Sequence, residues 1–136
     1  MITMNKELSK KLMELSSFSL MSIGVRGKAY LRNDAILIVS LARHNIVPVL
    51  GGDVYCKSEF DNNIHTTYDN WYCNREESES LKDYVERSCD VAEQFIINYT
   101  CKKGVDPIFD IVLAEEWQTS GSGDSNFERS GGQILS

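Results

Sequence analysis

A chain of 136 residues has the length of one ordinary domain, and 42% hydrophobic with 25% charged residues supports a single sizeable core, which excludes global disorder. The balance of 14 Lys and Arg against 20 Asp and Glu gives a formal net charge of −6. With no cluster of basic residues to meet phosphates, nucleic acid is excluded as the main partner.

Membranes and secretion fit no better. No stretch approaches the roughly 18 apolar residues of a membrane span. Met1 to Leu15 sets Lys6, Glu7, Lys10, Lys11 and Glu14 among its apolar residues, unlike a signal peptide, so the chain is expected in the cytoplasm. Cys56, Cys73, Cys89 and Cys101 form no C-x-x-C pair and are expected as free, mostly buried thiols, with no metal site and no cofactor.

Taken in chain order, Asn5 to about Phe18 carries Leu8, Leu12 and Leu15 at helical spacing, which predicts an amphipathic helix. Gly24 and Gly27 then break any regular pattern. Asn33 or Asp34 can cap a second helix, Ala35 to Arg43, apolar nearly all round and so expected in the core. Ile46 to Leu50 reads as a short buried strand that Pro48 pushes toward an edge. Gly51-Gly52 predicts a bulge or turn, with Asp53 bonding local amides, before the strand resumes through Lys57. Asp61-Asn-Asn63 is turn chemistry, and with Ile64 to Cys73 it completes a β-hairpin.

Ser78 or Ser80 can cap a long helix running to Tyr99, and Ser80-x-x-Asp83 resembles a capping box. Leu81, Tyr84, Val85, Ser88, Ala92, Phe95, Ile96 and Tyr99 make its packed face, with Lys102, Lys103 and Gly104 at its C-terminal end. Pro107 to Ala114 is a final strand. Residues 1–117 therefore predict one α+β domain, a small, mainly antiparallel sheet with helices packed on one face. Gln118 to Ser136, rich in Gly and Ser, is expected to be a flexible tail.

Three motifs in order are more distinctive than the periodicity: Val49-Leu-Gly-Gly-Asp-Val-Tyr55, Tyr68-Asp-Asn-Trp71, and Tyr84-Val-Glu-Arg-Ser88 with Ala92, Phe95, Ile96 and Tyr99 downstream. Over roughly Ile46 to Tyr99, with weaker support from the final strand, the series resembles the bacterial immunity-protein family numbered forty, found in polymorphic-toxin and contact-dependent growth inhibition systems. The resemblance implies a protein that binds a cognate toxin domain and covers its active site or substrate groove. Such toxins are often nucleases.

The long helix also offers a surface. Glu79, Asp83, Glu86, Asp90 and Glu93 recur at spacings of four and three, one stripe at about 100° per residue, almost opposite the apolar face. A basic toxin would turn the mutual repulsion of this stripe into attraction; a plain solvated helix face is the alternative reading. Tyr68, Asp69 and Tyr72 are candidate contacts beside it, because aromatic groups anchor interfaces, while Trp71 is expected in the core. Catalysis has little to stand on. His44 and His65 are the two histidines, and nothing in the spacing of Cys56, His65 and Asp53 demands a triad. An adaptor module in an unrelated complex, or a small hydrolase, are the competing functions.

Overall fold

The computed structural model describes residues 6–114. The expected tail, Gln118 to Ser136, and the boundary before it lie outside the described residues. Three helices and five strands follow in the order α1 (Lys6–Glu14), β1 (Phe18–Ser19), β2 (Lys28–Leu31), α2 (Arg32–His44), β3 (Val49–Ser58), β4 (Ile64–Tyr72), α3 (Leu81–Asn98) and β5 (Val105–Leu113). All pairings are antiparallel, in the sheet order β1-β2-β5-β3-β4, so the fold is α+β.

The helices lie on one face because that is where the apolar stripes meet. Val39 and Ala42 of α2, Val85, Cys89, Ala92 and Ile96 of α3, and Leu8 of α1 join Val49, Val54, Trp71 and Phe109 of the sheet in one core. Burying side chains of this kind stabilises by about 1.5–3 kcal/mol each relative to exposure. The Ser88 hydroxyl, buried in this layer, accepts from the Val49 amide at 3.0 Å and so ties α3 to the start of β3. Strand alternation sends Tyr55 and Ile108 to the opposite face. There Leu20, Ala29, Phe18, Ile23 and Val25 cover them, as the segment between β1 and β2 folds over that end of the sheet.

Several sequence expectations are corrected. β3 is one ten-residue strand in the sheet interior, between β5 and β4, and not a short edge piece. Pro48 escapes the ladder by standing just before it, where its carbonyl accepts from the Ala114 amide at 3.1 Å. Gly51 and Gly52 lie within the strand, and the register against β5 shifts between Val49 and Gly51. Asp53 makes no local amide bond among the described residues; it faces β5 instead. The stretch around Gly24 and Gly27, expected to be irregular, delivers β2, whose four residues are too few to show a pattern.

Neither Asn33 nor Asp34 caps α2. The helix begins at Arg32 directly off β2, with Leu31 at the N-cap and no side-chain cap. The Arg32 guanidinium donates to the Ile96 carbonyl, closing the end of α3 instead. Lys102 and Lys103 therefore lie in the connection to β5, beyond the last turn of α3, and Gly104 turns the chain at φ +85°. At the start of α3 the Ser80 hydroxyl accepts from the Asp83 amide at 3.1 Å, as the capping pattern predicts. Within the predicted face, Leu81 is exposed and Phe95 half-buried, while Tyr84, Val85, Ala92 and Ile96 are buried.

Candidate functional site

Four members of the acidic stripe, Asp83, Glu86, Asp90 and Glu93, lie along α3, Glu79 falls before it, and the chain has begun to neutralise the group. Arg43, in the last turn of α2, donates to Glu86 at 2.8 Å, Asp90 at 3.0 Å and Glu93 at 3.2 Å, bridging the two helices. Glu79 lies before α3 and receives both arms of Arg87 at 2.8 Å, which holds its carboxyl down at about 2. The same guanidinium donates to the Asn74 carbonyl at 2.7 Å, bracing the segment between β4 and α3. Two guanidiniums thus answer five carboxylates, and Asp83 has no ion pair among the described residues. Arg43 was not visible as a member of this group, because its partners lie 43 to 50 residues away.

The second set of candidates sits on β4, the edge strand. Tyr68 is 86% and Tyr72 55% exposed. Tyr68 occupies a bulge: its φ is +65°, and β4 spends five residues, Thr66 to Asn70, where β3 spends three, Asp53 to Tyr55. Thr67 stabilises the kink by donating its hydroxyl to the Val54 carbonyl at 2.7 Å and accepting from the Asp69 amide at 3.0 Å. Asp69 accepts from the Tyr99 hydroxyl at 2.6 Å, which fastens the bulge to the end of α3. Trp71 is buried, stacked on Phe95 with ring centroids 4.8 Å apart.

These two sets do not share a face. Phe95 points to β4 and lies nearly opposite the stripe on the helical wheel, whereas Glu86, Asp90 and Glu93 lean on α2. The structure brings the stripe together with Arg43 on the α2 side of α3 and fastens the Tyr68 bulge through Asp69 to Tyr99 on the β4 side, whereas Tyr72, next after the buried Trp71, points to the other face of the sheet.

The histidines and thiols separate similarly. Cys56 and His65 are cross-strand neighbours, but Asp53, three residues along β3, lies on the other face of the sheet, so the drawn triad is not assembled. Among the described residues no group of three or more His, Cys, Asp or Glu could hold a metal ion, and no helix is long and apolar enough to cross a membrane.

The sequence reading missed a carboxylate pair. Asp53 and Asp110 are direct partners across β3 and β5, a like-charge arrangement that costs stability. Burial first, and then the charge of Asp53, pushes the Asp110 carboxyl up to about 6 from its ordinary 3.8. Burial also raises Asp53. A raised carboxyl favours the folded state most when protonated, so its contribution is full below about pH 4 and is lost as pH rises through about 6. Asp110→Asn should therefore stabilise the protein by about 1–2 kcal/mol at pH 8 and by nearly nothing at pH 4. Urea titrations at the two pH values check this; equal effects would show that the charge is not the cause.

With this geometry in view, the comparison with known proteins is decisive at one level. The family described as Immunity protein 40 matches residues 19–113, from β1 through β5. The chain belongs to that family. The match reaches well beyond the Ile46 to Tyr99 stretch that carried most of the resemblance: it takes in β2 and α2 as well as the final strand, β5. An immunity protein has a cognate toxin as its partner. No curated protein and no solved structure matches the chain.

Proposed function

We propose that this immunity protein acts in the cytoplasm, without catalysis of its own, by covering the active site or substrate groove of a nuclease toxin domain from a contact-dependent or other polymorphic-toxin system. Family membership carries the reading. The surface chemistry supports it: a nuclease must be basic along the groove that holds phosphates, and this chain is acidic overall. Neither nucleic acid nor membrane is a partner in this reading.

Two surfaces divide the work. The stripe Glu79, Asp83, Glu86, Asp90 and Glu93, still short of cations by three charges, steers the encounter. Tyr68, Asp69 and Tyr72 on the edge strand β4 supply a contact that excludes water, with the bulge holding Tyr68 outward.

The test is co-purification with the product of the adjacent toxin gene, followed by kinetics on two variants. Placing lysines on the stripe would set them against Arg43, so neutral replacements are the cleaner choice: Asp83→Asn, Glu86→Gln and Asp90→Asn together. This variant should associate about tenfold more slowly at low salt, with a flattened salt dependence. Its fold should survive, because exposed ion pairs are worth about 0–1 kcal/mol each. Tyr68→Ala with Tyr72→Ala should instead raise the dissociation rate about tenfold or more. Wild-type kinetics in both variants would remove these surfaces from the interface. Failure to bind the adjacent toxin at all would remove the function.

A further inference from the structure

Two of the four cysteines share one groove. Cys56 lies on β3, held on one side by His65 of β4 and on the other by Pro107 of β5. Cys101 belongs to the connection between α3 and β5. Both are half-buried, and both line a groove of about 480 Å³ with His65, Thr67, Tyr99 and Lys102. Burial first, and then the charge of Cys56, raises the Cys101 thiol. Cys73 and Cys89 are different in kind. Both are buried, Cys73 beneath Arg87 and Cys89 in the helical core, where burial pushes its thiol up to about 11.

We propose that Cys56 and Cys101 form a redox-controlled clasp: oxidation by a small-molecule disulfide such as glutathione disulfide joins them, pins the α3–β5 connection to the interior strand β3, and closes the groove.

The chemistry is ordinary exchange. Either half-buried sulfur can attack first, and both orders end in the same bridge. When Cys56 leads, its sulfur, the proton lost to water, attacks one sulfur of glutathione disulfide; that S–S bond breaks and one glutathione leaves. Cys101 then gives up its proton and attacks Cys56 in the mixed disulfide, forming the Cys56–Cys101 bond and expelling the second glutathione. Two protein thiols are oxidised, one disulfide is reduced, and two glutathiones carry away the electrons and the two protons. A bridge needs Cα atoms within about 7 Å. The connection has no helix or strand between Asn98 and Val105, so it is the part free to meet that requirement. A bond there fixes one side of the groove to the other.

The experiment titrates the full-length, reduced protein with mixtures of reduced glutathione and glutathione disulfide, reading intact mass, free thiols and the linked peptides. The expected result is loss of two of the four thiols, a mass lower by two hydrogens, and a linked peptide pair containing Cys56 and Cys101. Cys101→Ser and Cys56→Ser should each stop at one glutathione on the groove cysteine that remains, with no internal bridge. The clasp is overturned if four free thiols persist through the titration, if the wild type stops at a glutathione adduct, or if the bridge joins another pair.

Discussion

Gly52→Ala should cost about 3 kcal/mol or more, among the largest effects of any single methyl in this protein. A Cβ on Gly52 would stand 2.1 Å from the Asp110 backbone oxygen and 2.4 Å from Cη2 of Trp71. The first neighbour is main chain in a paired strand and cannot swing aside. The second is a ring held against Phe95 by stacking. Relief would require β3 and β5 to part at the register Gly52–Ile111, in the middle of the sheet. Gly24→Ala is the control. That site has open space but a φ of +77°, so only backbone strain of about 1–2 kcal/mol is expected. Urea unfolding of both variants checks the pair, and a Gly52→Ala protein within 1 kcal/mol of wild type would refute the close approach.

Trp71→Ala should cost about 3–5 kcal/mol, from lost burial, a cavity against α3 and the lost stack on Phe95. Phe95→Ala, whose ring is only half-buried, should cost less, about 2–3 kcal/mol. Removing both should cost less than the sum, because the two share a contact. Trp71→Phe should be milder than Trp71→Ala, below about 1.5 kcal/mol, since it keeps an aromatic ring. It also discards an indole N–H that is buried without a partner among the described residues. Thermal unfolding of the four proteins tests the order, and a Trp71→Phe as damaging as Trp71→Ala would mean that the N–H has a role.

What was legible in the sequence was whatever repeats locally. The cap at Ser80, the packed positions Tyr84, Val85, Ala92 and Ile96, and the hairpin from β3 to β4 all follow from spacing within one element. What was hidden depends on pairs distant in the chain. Arg43 reads as a lone cation at a helix end until α2 is laid beside α3, and only then do three carboxylates claim it. Asp53 beside Asp110 is a consequence of strand register, which no local pattern encodes. β2 was missed because four residues carry too little alternation, and its strand character comes from pairing with β5. The same reasoning separates the candidate surfaces. The stripe was readable as a stripe, but its lying across α3 from the strand that carries Tyr68 and Tyr72 became visible only once Phe95 was seen to meet Trp71.

The way the sheet ends has a bearing on how the protein tolerates being concentrated. An unpaired strand edge invites the edge of another copy, and open-ended stacking of that kind leads to fibrils. Here one border, β1, is two residues long, too short to template an additional strand. The other, β4, is nine residues long and would be a hazard if it were straight. The Tyr68 bulge breaks its run of outward amides and carbonyls in the middle and twists the two halves apart. Among the described residues neither border presents a long flat rail along which copies of the chain could zip together. In the proposed complex, a toxin loop pressing on Tyr68 would meet a shaped projection instead of a generic strand edge, so the same two extra residues that break the edge would also shape the contact.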